Sequence, residues 1–246
     1  RPIPEQVPSL IQLGLPRLLE QLSHSPRGLI LITGPAGSGK STTLAAMIEA
    51  INHREDRHII TIEDPIEYII SSRRSLVHQR EVGLHTASFS DGLRSALREH
   101  PDVIVVGELR DLETISLAIR AAETGHLVLG TLHCGSAVQA LTRLLDVFEG
   151  SLRNQICVQL AQSLRAILTQ RLFRRRDGSG MVAATELLVA TAAIKNIIRL
   201  QQFQELQTYL EVGGREGMHT LSESVRSLIN QGSVGAEVLS QVGDEG

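Results

Sequence analysis

Apolar positions along the chain fall into two alternating rhythms. Short unbroken runs recur at Gly28–Thr33 (GLILIT), His58–Ile62 (HIITI), Val103–Val106 (VIVV) and His126–Leu132 (HLVLGTL). Such runs mark strands buried on both faces. Stretches with helical spacing lie between them. One runs from about Ser41 to about Asn52. A second starts near Ser88, places Phe89, Leu93, Ala96 and Leu97 on one face, and stops at Pro101. A third covers 112–124, with Asp111 as its cap and Gly125 as its end. Residues 68–86 are polar and irregular, with a short strand around Leu76–Gln79. The strand–helix alternation predicts an α/β fold, with a mainly parallel sheet and helices on both faces.

The flanks read differently. Residues 1–27 hold Pro2, Pro4, Pro8, Pro16 and Pro26, and predict an extended arm and one short helix, Leu15–Leu22. Beyond Ser136 the spacing predicts two amphipathic helices, with Ile156, Leu160, Leu164 and Ile167 on one face of the second. Met181–Val189 reads as a late strand, the second half of a hairpin across Asp177-Gly178-Ser179-Gly180. The remainder is helical. Thr220-Leu-Ser-Glu223 is a capping box ahead of the stripe Leu221, Val225, Leu228 and Ile229. Residues 243–246 read as frayed.

Composition narrows the classes. The chain has 246 residues, 42% of them hydrophobic, but only four Phe, two Tyr and no Trp, so its core is aliphatic. No apolar run approaches the roughly 18 residues of a membrane span, and no signal peptide is visible at the start. Cys134 and Cys157 make neither a disulfide scaffold nor a paired metal-ligand spacing, which fits a reducing, cytoplasmic setting. A net charge of −3 leaves no broad footprint for nucleic acid. The basic runs Arg73-Arg74 and Arg174-Arg175-Arg176 have no interleaved aromatics to stack bases and read as solvated charge. The first residue is Arg1, not Met, so a fragment is expected.

The chemistry concentrates in three places. Gly34-Pro-Ala-Gly37-Ser38-Gly39-Lys40-Ser41 matches G-x-x-x-x-G-K-[S/T] between a predicted strand and a predicted helix. Glycines there let successive N–H groups turn inward toward phosphate oxygens, and the helix adds its positive end. Lys40 reaches the β- and γ-phosphates of a nucleoside triphosphate, and the Ser41 hydroxyl ligates Mg²⁺. Next, Val103–Val106 delivers Gly107-Glu108 to the sheet edge where ligands bind, and an acid there can hold Mg²⁺ directly or through water. Finally, Glu63-Asp64-Pro65-Ile66-Glu67 follows a strand expected beside the first. Three carboxylates within five residues need solvent or a cation nearby, and one of them is a candidate base for the attacking water. His126 and His133 bracket a strand at its opposite ends and on opposite faces, so they should not chelate one metal.

Taken together, these segments resemble the type II/IV secretion and type IV pilus ATPases. The resemblance rests on GLILITGPAGSGKSTTLAAMIEAIN, HIITIEDPIEY, LVHQREVG, LRSALREHPDVIVVGELRDLETI and AAETGHLVLGTLHCGSA, in that order, and runs from Arg1 to about Gly232. It implies a RecA-like P-loop core and a homo-hexameric ring with ATP and Mg²⁺ between subunits. Gly34, Gly37, Ser38, Gly39, Lys40, Ser41 and Thr42 would bind nucleotide. Ile62–Glu67, containing Asp64, resembles the family's aspartate box, with Glu67 as the water-activating glutamate. Glu108 would stand near the metal together with Ser41. TGHLVLGTLH resembles the histidine box, which adds His126 and His133 to the site. Arg94, Arg98 and Arg110 are candidates for arginines acting across the subunit interface.

Within that family the chain is similar to the pilus-retraction branch. Extension and type II secretion ATPases usually carry a four-cysteine zinc segment after a Gln-Arg-Leu strand; here Gln170-Arg171-Leu172-Phe173 leads into RRRDGSG without Cys. Retraction enzymes carry an AIRNLIRE-like helix. Ala193–Leu200 keeps most of it, with Lys195, Ile197 and Leu200 as departures, and Cys134 stands where Thr is common. The implied organisation is a linker arm at 1–27 following an absent PAS-like domain, a RecA-like core at 28–190 and a helical region at 191–246. The expected function is ATP hydrolysis that powers pilus retraction and twitching motility. It would work on an inner-membrane platform protein from the cytoplasmic side, without membrane insertion or nucleic acid. An accessory retraction ATPase, a secretion or pilus-assembly ATPase, a nucleotide-binding accessory with little turnover, and a RecA-like nucleic-acid motor are the alternatives.

Overall fold

The computed structural model describes residues 6–242. The expectations for Pro2, Pro4 and the frayed end at 243–246 lie outside them. Seven strands form one sheet: β1 (Gly28–Thr33), β2 (His58–Glu63), β3 (Leu76–Glu81), β4 (Val103–Val106), β5 (Leu127–Leu132), β6 (Leu164–Arg174) and β7 (Met181–Val189). Their order across the sheet is β3-β2-β4-β5-β1-β6-β7. Every pairing is parallel except β6 with β7, a hairpin. β1 and β5 are buried at all six positions, as central parallel strands require.

Alternation along the strands separates two apolar layers. Leu29, Leu31, Ile104, Val106 and Val128 face the layer under α3 (Phe89–Ala96), α4 (Leu112–Glu123), α5 (Ala137–Asp146) and α6 (Gly150–Ser163). Ile30, Ile32, Ile59, Val103 and Val105 face the layer under α1 (Arg17–Ser23) and α2 (Lys40–Arg54). α7 (Ala192–Leu200) and α8 (Leu206–Val212) add Ile194, Ile198 and Leu206 to the first layer. α9 (Leu221–Asn230), opened by the expected Thr220–Glu223 capping box, covers a third, smaller cluster on the β6–β7 hairpin.

Two expectations fail. The second helix after Ser136 ends at Ser163, so Leu164 and Ile167 belong to β6 and not to a helical face. All four apolar residues point into the same layer, so helical spacing and strand burial gave the same pattern, and no turn residue marks the junction. The strand carrying Glu63 is also not adjacent to the first strand. β4 and β5 stand between β2 and β1. Strand order depends on which crossover packs where, and local pattern does not encode it.

Candidate functional site

β1 delivers the chain to Gly34 at the carboxyl edge of the sheet, and α2 begins six residues later. Space dictates two glycines in this turn. Gly34 has φ 145°, and a Cβ there would lie 2.3 Å from the Gln170 carbonyl oxygen. Gly39 has φ 87°, and its Cβ would lie 2.9 Å from Gln170 Nε2. An L side chain is strained at both.

Lys40 is buried at the start of α2. Its Nζ donates to the carbonyls of Gly34 at 2.9 Å and Pro35 at 2.8 Å, and stands 3.4 Å from His133 Nδ1. Burial lowers the lysine pKa, against the opposing pull of Glu108, Glu67 and Cys134. An ammonium and the positive end of a 15-residue helix thus meet at one turn. That arrangement suits a polyanion. The Ser38 hydroxyl is buried in the loop without a partner. Beneath the loop, Gln170 of β6 donates to the Ser38 carbonyl at 2.7 Å and accepts from Thr43 Oγ1 at 2.9 Å.

β4 carries Glu108 to the same edge. Its Oε2 pairs with Arg110 Nη2 at 2.6 Å and lies 3.3 Å from His133 Nε2. Burial favours the neutral acid, but Arg110 and His133 outweigh it and hold Glu108 below the ordinary carboxylate range. The segment after β5 is tied down on both sides. Thr33 Oγ1 donates to the Cys134 carbonyl at 2.9 Å, and Arg143 of α5 donates to the His133 carbonyl at 3.0 Å.

β2 ends at Glu63, which accepts from Thr61 Oγ1 at 2.6 Å and Gln79 Nε2 at 3.0 Å. Burial raises its pKa, despite those hydrogen bonds. Asp64 and Glu67 are exposed. They line one cleft of ≈1020 Å³ together with Lys40, Ser41, Glu108 and Arg110. Among the described residues no cluster of three or more His, Cys, Asp or Glu is placed to hold a metal ion. Ser41 and Glu108 nonetheless offer two hard oxygen donors in one cleft, and Mg²⁺ commonly takes one or two protein oxygens, substrate phosphates and water. The residues fit that ion.

A sequence model described as type II/IV secretion system protein matches residues 9–240. The chain belongs to that family. Within it, the chain is 48% identical over 237 residues to a "Twitching motility protein" of Neisseria gonorrhoeae, covering 96% of this chain and 63% of the relative. It is 47% identical to the "Type IV pilus retractation ATPase PilT" of Pseudomonas aeruginosa, over 96% of this chain and 69% of that one. A solved structure of the pilus retraction motor PilT with bound ADP superposes with a TM-score of 0.93 at 45% identity, covering 100% of this chain and 69% of that one. The chain therefore spans about two thirds of the length of these relatives. Its fold is the RecA-like α/β architecture of the family's ATPases.

The cleft gathers most of the residues singled out in the sequence. Gly37, Gly39, Lys40, Ser41, Thr42, Asp64, Glu67, Glu108, Arg110 and His133 all line it. His126 does not. It precedes β5 at the opposite end of the strand from His133, and its Nδ1 lies 3.0 Å from the Ala121 carbonyl. Arg94 and Arg98 are exposed and not among the cleft residues; Arg94 pairs with Glu113, and with Asp91 at 3.5 Å. Sequence reasoning missed Gln170 and Tyr68. Both act through contacts between segments far apart in the chain, so no local motif announces them.

Proposed function

We propose that this chain is the ATP-hydrolysing portion of a type IV pilus retraction motor. The observation that carries this reading is the convergence of Lys40, Glu108, His133 and Glu67 on one cleft, in a chain so similar to retraction ATPases. Lys40 and the α2 terminus bind the triphosphate and neutralise charge on its transferring group. Glu67 accepts a proton from water as the water oxygen attacks the γ-phosphorus and the bond to the β-phosphate oxygen breaks. When bound, Mg²⁺ held by Ser41 and Glu108 would supply further charge neutralisation at the phosphates. Arg110 and His133 keep Glu108 ionised for that task. Asp64 adds negative charge at the mouth of the cleft.

Residues 28–190 form the catalytic core in this reading, and 191–242 a helical region built onto it. Arg94 and Arg98, outside the cleft of their own chain, are assigned to a neighbouring subunit's site in a homo-hexamer. Among the described residues no helix is long and apolar enough to cross a membrane, which is compatible with a motor that acts on an inner-membrane platform from the cytoplasmic side. The turn after β6 favours retraction over extension. It closes at Asp177–Gly178 without a cysteine.

Phosphate release from ATP by the purified protein tests the chemistry. Removing the gene tests the direction: hyperpiliated cells without twitching support retraction, and bald cells support extension.

A further inference from the structure

The β2 carboxyl end is three strand positions from β1, roughly 14 Å at the usual strand spacing. Glu67 nevertheless lines the same cleft as Lys40. The segment after β2 must therefore be held across that gap. Its anchors are specific. Tyr68, the neighbour of Glu67, has its hydroxyl 3.0 Å from Thr42 Oγ1 in the first turn of α2. Its carbonyl accepts from Gln79 Nε2 at 2.8 Å. Gln79 Oε1 accepts from the Ile70 amide at 2.8 Å, and Glu81 Oε2 accepts from the Ile66 amide at 3.0 Å.

These contacts follow from strand geometry. β3 pairs with β2 in the register Ile59↔Val77, Thr61↔Gln79 and Glu63↔Glu81. Val77, Gln79 and Glu81 therefore share one face. It is the α2 face, because Ile59, Tyr68 and Val77 all belong to that apolar layer. The loop crosses this face, and two polar side chains of an edge strand satisfy its backbone. The loop is tied to α2 at two places. Near the far end of the helix Asn52 donates to the Ser71 carbonyl at 2.9 Å and accepts from the Arg73 amide at 3.0 Å, while Tyr68 to Thr42 is the contact in the first turn, beside Lys40 and Ser41.

We propose that Tyr68 is a positioning residue: its hydroxyl, through Thr42, sets the distance between Glu67 and the phosphate-binding turn. This inference rests on the reading of the cleft as an ATPase site. Its role is distinct from binding. A loosened loop leaves the phosphate cradle intact but misplaces the base, and small misplacements are costly to the chemical step.

The test is a double-mutant cycle in the full chain, with ATP turnover followed by phosphate release and affinity by a fluorescent ATP analogue. Tyr68→Phe should lower kcat about 10-fold and change the analogue Kd by less than about 2-fold. In a Thr42→Val background, Tyr68→Phe should change kcat by less than about 2-fold, because the partner hydroxyl is already gone. Thr42→Ser, which keeps the hydroxyl, should restore the sensitivity to Tyr68→Phe. An unchanged kcat in Tyr68→Phe, an equal loss in kcat and affinity, or a multiplicative loss in the double variant overturns the proposal. If the parent chain binds but does not hydrolyse ATP, the ATPase reading falls, and this inference with it. If the parent turns over and Tyr68→Phe matches it, only this inference falls.

Discussion

His133 spans Lys40 and Glu108: its Nδ1 is 3.4 Å from the lysine Nζ, and its Nε2 is 3.3 Å from the Glu108 carboxylate. An ammonium only donates and a carboxylate only accepts. With its lone pair on Nδ1 and a proton on Nε2, the ring would accept from the lysine and donate to the carboxylate. One ring thus connects the lysine of the phosphate-binding turn to the acid of β4.

Removing that ring should uncouple the two groups. His133→Ala is expected to lower turnover about 10- to 100-fold, the equivalent of one charge-assisted hydrogen bond. Phosphate-release kinetics measure it. A variant within about 2-fold of the parent would mean that Lys40 and Glu108 hold their places unaided.

Lys40 and Glu67 should fail in different ways. Lys40→Ala deletes an ammonium at the phosphate-binding turn and should weaken ATP binding about 10- to 100-fold. Glu67→Gln should bind ATP normally and turn over about 10²- to 10⁴-fold more slowly. Titration with a fluorescent nucleotide separates the two. Full turnover in Glu67→Gln would move the base to another carboxylate.

Glu186 offers a pH test. It is buried on β7, accepts from the Ala137 amide at 2.8 Å and from Thr169 at 3.3 Å, and burial raises its pKa in spite of those bonds. The protonated form is favoured by folding. Its contribution is fully present below the unfolded value of 4.5 and is lost as pH rises through the higher folded value. Glu186→Gln keeps an acceptor and removes the ionisation. Thermal melts should show the variant gaining on the parent as pH is raised from about 5 to 8. A constant difference across that range refutes the assignment.

Gln170 supports the phosphate-binding turn from β6. Gln170→Leu leaves the Ser38 carbonyl and the Thr43 hydroxyl without their partner. The expected loss is about 1–3 kcal/mol of stability, the usual result of orphaning buried polar groups. Urea denaturation measures it. A loss below about 0.5 kcal/mol would indicate that water or a rotated Thr43 replaces the amide.

The run from β1 through α2 to β5 was legible because each element carries its own signal: an unbroken aliphatic strand, a capping residue, a glycine or proline stop. Lys40 and Glu108 were legible for a related reason, since one opens the helix after the glycine-rich turn and the other closely follows the β4 run, whereas Glu67 was singled out from its neighbouring carboxylates only by the family resemblance. What escaped depends on distant partners. The start of β6 at Leu164 is defined by pairing with β1, not by any local break. Thr43 and Gln170 meet across 127 positions, and Thr42 and Tyr68 across 26. The order of β2 and β1 escaped in the same way: helix packing, not composition, inserts β4 and β5 between them.

α5 is fastened at both of its ends. Arg143 in its last turn grips the His133 carbonyl, and the Ala137 amide in its first turn is fixed to Glu186 of β7. The connector between His133 and α5 thus has no slack. Whatever pushes His133 must swing α5, a rod of about 15 Å, and must lever against the antiparallel edge of the sheet. A shift of His133 would therefore be passed to α5 as a whole and not absorbed in the short connector.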